Sequence, residues 1–204
     1  MVLSALRTIQ SIEDMGFDLI KVSLKASDVP RTIEAYRLFS KESDHPLHLG
    51  ITEAGRGYGA VVKSAIGIGI LLNEGIGDTI RVSLTGDPVE EVRVGYEILR
   101  ALKIRRRGVE IISCPTCGRC EIDLTRLVDR VTKEVEKLTT PMTIAIMGCV
   151  VNGPGEAREA DIGIAGGRGV GVLFKKGRIV GKVRESEFVK VLLKEVHEMA
   201  GDKG

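Results

Sequence analysis

The sequence predicts an α/β protein in which a βα-repeat half is followed by a separate small α/β domain. Three observations carry this. Strand-like runs begin near residues 18, 47, 79 and 109, about 30 residues apart, with helical patterns between them. That is the period of a βα unit with right-handed crossovers, and so of a parallel sheet. Beyond about residue 104 the pattern changes to short strands divided by Gly-rich turns and closed by one amphipathic helix. A length of 204 residues suits one large or two small domains, but not a complete βα barrel of about 250 residues with a second domain added.

Each element has its own warrant. Val2, Leu3, Leu6, Ile9, Ile12 and Met15 recur at helical spacing over residues 2–15, and Gly16 stops that helix. Residues 18–24 read as a strand. Asp28 caps the next helix, which has Pro30 in its first turn and runs to about Lys41. A strand over 47–53, a Gly-containing helix over about 59–74 and a strand over 79–84 follow. Gly86-Asp87-Pro88 opens a helix with Val89, Val92, Tyr96 and Leu99 on one face, and the strand at 109–112 runs straight into Cys114. Arg105-Arg106-Arg107-Gly108 reads as a surface turn, dividing the chain into residues 1–104 and 105–204. In the second part Leu124, Leu127, Val128, Val131 and Val135 line a helix over 123–138, and Met142–Met147 is a buried-type strand. Short strands at 161–165, 170–175 and 178–183 precede a helix at 185–199, with Gly166–Gly171 as a hairpin turn.

Composition removes several function classes. Hydrophobic residues make up 43 %, enough for an ordinary core, but only 3 % are aromatic and Trp is absent. Stacking platforms for single-stranded nucleic acid are therefore not expected, and 30 Lys plus Arg against 28 Asp plus Glu gives no basic footprint for a nucleic-acid partner. No uncharged apolar run approaches the roughly 18 residues of a membrane span, and the start has no basic segment ahead of an apolar one. A cytoplasmic protein with no membrane and no nucleic-acid partner is expected.

The strongest chemical signal is thiol. Cys114, Cys117 and Cys120 are spaced C-x2-C-x2-C, and Cys149 lies 35 residues beyond Cys114 at the end of another strand. Clustered thiols read as a soft-metal site rather than a disulfide framework. The spacing leaves open a four-cysteine zinc site and an iron–sulfur cluster; the ferredoxin continuation x3-C-P is absent. Glu156, in the loop Asn152-Gly153-Pro154-Gly155-Glu156, is either a solvated carboxylate or an oxygen ligand. Three thiolates with one carboxylate would leave one labile iron, open to a substrate oxygen. Asn152 could hydrogen-bond a ligand or simply make a turn.

The repeat half carries a second pattern. Lys25, Glu53, Arg81 and Ser83 stand at or near the C-terminal ends of successive strands, the ligand edge of parallel α/β architectures. Lys25 and Arg81 suit phosphate oxygens, Ser83 adds a hydroxyl, and Glu53 could transfer a proton. Each could equally be a paired surface charge. Gly67-Ile68-Gly69 lies inside a helical pattern and is no dinucleotide fingerprint, and His45, His48 and His197 have no ligand spacing. The run Lys103 to Arg107 is a solvated face or a docking strip for an acidic electron carrier.

Taken together, Ser113-Cys114-Pro115-Thr116-Cys117-Gly118-Arg119, Met147-Gly148-Cys149-Val150-Val151-Asn152-Gly153-Pro154-Gly155-Glu156, Lys21–Ser27, His48–Gly55 and Ile80–Leu84 resemble the 4-hydroxy-3-methylbut-2-enyl diphosphate synthases of the non-mevalonate isoprenoid pathway, over nearly the whole chain. The resemblance implies the C-terminal part of a TIM-type βα barrel on the diphosphate side of the substrate, followed by a small α/β iron–sulfur domain. It implies a [4Fe-4S] cluster on Cys114, Cys117, Cys149 and Glu156, which makes Cys120 a bystander. It further implies diphosphate binding by Lys25, Arg81 and Ser83, a substrate contact by Asn152 and proton handling by Glu53. The implied reaction converts 2-C-methyl-D-erythritol 2,4-cyclodiphosphate to 4-hydroxy-3-methylbut-2-enyl diphosphate by two-electron reductive ring opening with loss of water. Reduced ferredoxin or flavodoxin is the implied electron donor, and the full-length family forms homodimers. Only about three βα units precede the cluster segment, so the N-terminal part of the barrel is expected to be missing and turnover by this chain alone is not expected.

Overall fold

The structure is a computed structural model that describes residues 1–150, 155 and 157–201. The chain folds as an α/β protein in two compact units, Met1–Arg106 and Arg107–Gly204. Among the described residues no helix is long and apolar enough to cross a membrane.

In the first unit, helices α1 (Val2–Glu13), α2 (Val29–Glu42), α3 (Gly57–Asn73) and α4 (Pro88–Ala101) alternate with parallel strands β1 (His48–Leu49) and β2 (Thr79–Ile80). The helix starts follow from side-chain capping: Asp28 accepts from Arg31 N at 2.7 Å, and Asp87 accepts from Val89 N at 2.9 Å, each with proline in the first turn. Successive helices pack on one face of the sheet, over a core of Val22, Leu24, Tyr36, Phe39, Leu49, Leu71 and Val82. Gly67 is part of this packing. A Cβ there would collide with Ile51 Cδ1, so the glycine lets α3 sit close on the sheet.

The three expected strands of this unit are much shorter than the sequence suggests. Residues 18–24 reduce to one parallel bridge, Val22 to Leu47, and the other two to His48–Leu49 and Thr79–Ile80. The cause is visible at the first ladder. Val22 N donates to Pro46 O at 2.8 Å and His48 N to Val22 O at 2.7 Å, as a parallel ladder requires. The next rung, Leu24 N to His48 O, is replaced by the hydroxyl of Tyr36, which accepts from Leu24 N at 3.0 Å and donates to His48 O at 2.6 Å. A buried side chain thus fills the gap left in the backbone pairing.

The second unit is a five-stranded sheet in the order β3 (Val109–Ser113), β4 (Met142–Met147), β5 (Ile162–Ala165), β6 (Val170–Lys175), β7 (Arg178–Arg184). The strand at 109, fourth in the sequence repeat, therefore belongs to this sheet. The first three strands are parallel and the last two antiparallel. Residues 166–169 make the β5–β6 hairpin connection, with Gly169 at φ +70°. Lys176 and Gly177, both at positive φ, form the two-residue β6–β7 turn. Helices α5 (Leu124–Val135) and α6 (Phe188–Ala200) cover one face, where Leu127, Val131, Leu192 and Val196 meet Ile144, Ile146, Ile162 and Ile164. The other face buries Ala145, Met147, Ala157, Ala160, Ala165 and Phe174.

Candidate functional site

The site residues fall into two groups, one in each unit. In the first unit, alternation along the strands separates the faces of the sheet. Val22, Leu24, Leu49 and Val82 enter the core, while Lys21, Ser23, Lys25, His48, Arg81 and Ser83 occupy the alternate positions. A parallel sheet ordinarily buries both faces in apolar residues. Here the second face is polar and cationic.

Gly50 is its floor. A Cβ on Gly50 would stand 2.6 Å from the Arg81 carbonyl oxygen and 3.2 Å from Lys25 Cε, so the lysine stem lies across the glycine beside the backbone of Arg81. Among the described residues no carboxylate forms an ion pair with Lys21, Lys25 or Arg81. The electrostatics record this. Partial burial, then Arg81 and Lys21, hold the Lys25 ammonium below its ordinary pKa. Partial burial, then Lys25, Lys21 and Arg81, hold His48 below its own. His48 Nδ1 lies 2.8 Å from Thr79 Oγ1. Excess cationic charge unmatched by carboxylates is what an anion with several oxygens would neutralise.

Glu53 is exposed, four residues beyond β1, with its backbone at φ +52°. Ser83 is half-buried two residues past Arg81. Lys25, Arg81 and Gly50 are thus brought into contact. Lys21 and His48, which have no ligand spacing, join them on the same face. The signal for both was the period-two pattern Lys21, Ser23, Lys25 and His48, Gly50, which places them on the strand face opposite the core.

In the second unit the sheet brings distant thiols to one edge. Pairing of Ser113 with Ile146 in the parallel β3–β4 ladder puts Cys114 and Cys149 at the same C-terminal end. The Gly148 N–H donates to Cys114 Sγ at 3.2 Å. Cys117 is exposed, and the backbone N–H of Arg119, aided by its side chain, holds the thiol below its ordinary pKa despite an opposing desolvation effect. Cys120 differs. Its thiol donates to the Ile122 carbonyl at 3.3 Å, and it packs with Cys114 and Ile122 at the margin of the core. All four cysteines are free thiols.

Among the described residues no three His, Cys, Asp or Glu side chains converge as a metal-holding group. Asn152 and Glu156 lie outside the described residues. The donor chemistry of the edge nevertheless fits a soft-metal cluster. Cys114 accepts a backbone N–H as cluster thiolates do, and Cys117 is exposed and biased toward thiolate.

Comparison with known proteins adds to this geometry. The GcpE TIM-barrel domain model matches residues 1–96, and the GcpE protein C-terminal domain model matches residues 110–198. The chain is 57 % identical over 203 residues to the 4-hydroxy-3-methylbut-2-en-1-yl diphosphate synthase (flavodoxin) of Geobacter sulfurreducens, covering 100 % of this chain and 58 % of that protein. It is 58 % identical over 196 residues to the protein of the same name from Clostridium acetobutylicum, covering 96 % and 56 %. It is 56 % identical over 201 residues to that from Aquifex aeolicus, covering 98 % and 56 %. The chain thus spans a little over half the length of these relatives.

Proposed function

The chain belongs to the GcpE family, and from that premise we propose that it carries the cluster-binding unit and part of the diphosphate pocket of a 4-hydroxy-3-methylbut-2-enyl diphosphate synthase. The reaction would open the ring of 2-C-methyl-D-erythritol 2,4-cyclodiphosphate by two-electron reduction with loss of water. The observation that carries the reading is the strip of Lys25 and Arg81 over Gly50, cationic and unmatched by carboxylates at the ligand edge of a parallel sheet.

Lys25 would hold one phosphate as a point charge and Arg81 as a two-pronged donor, with the Ser83 hydroxyl beside them. Binding would relieve the mutual repulsion of Lys25, Lys21 and Arg81, so part of the affinity comes from strain already present in the free protein. Glu53 would hold or deliver the proton that accompanies loss of water, and Asn152 would contact the substrate. Cys114, Cys117, Cys149 and Glu156 would hold a [4Fe-4S] cluster, which supplies electrons singly from reduced flavodoxin or ferredoxin. The carboxylate is the weaker ligand of the four, which suits a position that must be vacated. Residues 1–104 would then supply the diphosphate-binding residues of the barrel and residues 105–204 would carry the cluster, in a protein working as a cytoplasmic homodimer.

The test is anaerobic reconstitution followed by iron and sulfide analysis and a spectrum titrated with the cyclic diphosphate. Binding and turnover are scored separately. Four iron and four sulfide per chain, with a spectral change on titration that Lys25→Met weakens, support the reading. Zinc without sulfide, or a cluster that depends on Cys120 and ignores Glu156, overturns it.

A further inference from the structure

Gly148 follows β4 directly, and three independent contacts converge on it. Its N–H donates to Cys114 Sγ at 3.2 Å. Its carbonyl accepts from Glu121 N at 3.1 Å. The third contact is steric: a Cβ at this position would lie 2.5 Å from Cys120 Sγ and 3.2 Å from Cys120 Cβ, so only hydrogen fits between the Cys120 side chain and the Gly148 backbone. Cys120 is itself held. Its N–H donates to Cys117 O at 2.9 Å and its thiol to Ile122 O at 3.3 Å, while Ile122 packs against the main core of the unit. The segment from Cys117 to Ile122 therefore grips the Gly148 peptide from two sides and aims its N–H at one sulfur.

A hydrogen bond to a cluster thiolate withdraws electron density and favours the reduced state, so it raises the reduction potential. A thiol that spends its own proton on a carbonyl is neutral, and its sulfur is turned to backbone rather than to metal. We infer that Cys120 and Gly148 form a clamp that fixes the residue 148 amide on Cys114 and thereby sets the reduction potential of the cluster, with Cys120 a positioning residue and not a ligand. This rests on the reading of Cys114 as a cluster thiolate, and it gives the third cysteine of the C-x2-C-x2-C run a role distinct from the first two.

The experiment is spectroelectrochemistry and electron paramagnetic resonance of the reconstituted chain, with amide exchange measured on the reduced, cluster-free chain. Cys120→Ser keeps the donor to Ile122 and most of the volume, and is expected to retain iron, sulfide and a midpoint close to the wild-type one. Gly148→Ala is expected to move the midpoint to more negative potential and to alter the spectrum of the reduced cluster. Adding Cys120→Gly to Gly148→Ala leaves Cys120 Cα, at 3.5 Å, as the nearest remaining atom of that residue, and is expected to restore much of the shift. Cys120→Gly alone opens the clamp. It should lower the midpoint and speed exchange of the Gly148 amide about five- to tenfold in the cluster-free chain, the scale of one lost hydrogen bond. That variant decides the matter if Gly148→Ala does not fold. Loss of iron in Cys120→Ser overturns the inference by making Cys120 a ligand. An unmoved midpoint in Gly148→Ala or in Cys120→Gly overturns it as well. A wild-type chain that takes up no iron and sulfide instead fails the cluster reading, and the amide exchange then tests the clamp by itself.

Discussion

Lys25 lies against the backbone of Arg81 across a floor made by Gly50, with room for no side chain between them. The obstacle to a Cβ is Arg81 O at 2.6 Å, a backbone atom one residue past β2, in a residue whose own N–H donates to Leu49 O at 2.9 Å. Backbone yields less readily than the tip of a side chain. Gly50→Ala should therefore cost about 1–3 kcal/mol, read as a lower midpoint in urea unfolding. It should also weaken binding of inorganic pyrophosphate, because both cations shift together.

Lys25→Met keeps the stem that covers Gly50 and removes only the charge. The folded pKa of Lys25 is below its unfolded value, so the charge costs stability at neutral pH, a cost relieved only as pH rises through the folded value. The variant should be at least as stable as the parent in thermal unfolding, yet bind pyrophosphate about tenfold more weakly, the scale of one charge-assisted hydrogen bond. Equal loss of stability and binding would point to a packing role.

His48 gives a pH test of the same strip. Burial first, and then the neighbouring cations, put its folded pKa below the ordinary value near 6.5. The unfolded chain then binds more protons below that pH than the folded one, so stability falls on acidification and recovers as pH rises toward 6.5. His48→Gln should flatten this acid limb in denaturation midpoints measured between pH 5 and pH 7.5. Pyrophosphate on the strip should raise the His48 titration midpoint, followed by the ring proton signals in NMR.

The helix starts were legible because their signals are local. Asp28 with Pro30 and Asp87 with Pro88 act within one turn, and the structure has the caps they specify. The strands of the first unit were not legible in length, because pairing depends on what lies alongside. Residues 18–24 alternate like a strand, but Tyr36, from the next helix, occupies the rung beyond Val22. The second sheet was readable because its strands pair along most of their length, β4 burying residues on both faces. Among the thiols, spacing marks a cluster of soft donors and stops there. What separates Cys120 from Cys114 is an Ile122 carbonyl on one side and a Gly148 amide 34 residues from Cys114 on the other. The place of His48 on the strip follows from strand alternation, which ligand spacing does not register.

Glu53 keeps a left-handed backbone at φ +52° without being glycine. Such a residue costs about 1 kcal/mol, and strain of this kind concentrates where function demands a direction for the side chain. Glu53→Gly should relieve the strain, offset in part by the added freedom of the unfolded chain, leaving thermal stability equal or slightly higher. Glu53→Ala should bring no such gain. If Glu53 handles a proton, both variants retain pyrophosphate binding, and turnover measured in the longer relatives with the matching substitution falls.

Tyr36 links the core to the strip, and its removal separates two consequences that a surface substitution would not. Its hydroxyl accepts from Leu24 N and donates to His48 O in a fully buried position, so it serves only while protonated. Burial is the leading cause that raises its pKa, against smaller opposing hydrogen-bond and cation effects. A raised folded pKa means that this contribution is complete below the ordinary tyrosine value near 10 and is lost as pH rises through the folded value. Tyr36→Phe leaves Leu24 N–H without its partner next to Lys25, and should cost about 1–3 kcal/mol in urea unfolding. It should also remove the alkaline loss of stability that the parent has from this group. Because Leu24 and His48 flank the cations of the strip, pyrophosphate affinity should fall with the same substitution although Tyr36 carries no charge of its own there. Retained affinity in a destabilised Tyr36→Phe variant would mean that the ladder is held by backbone pairing alone.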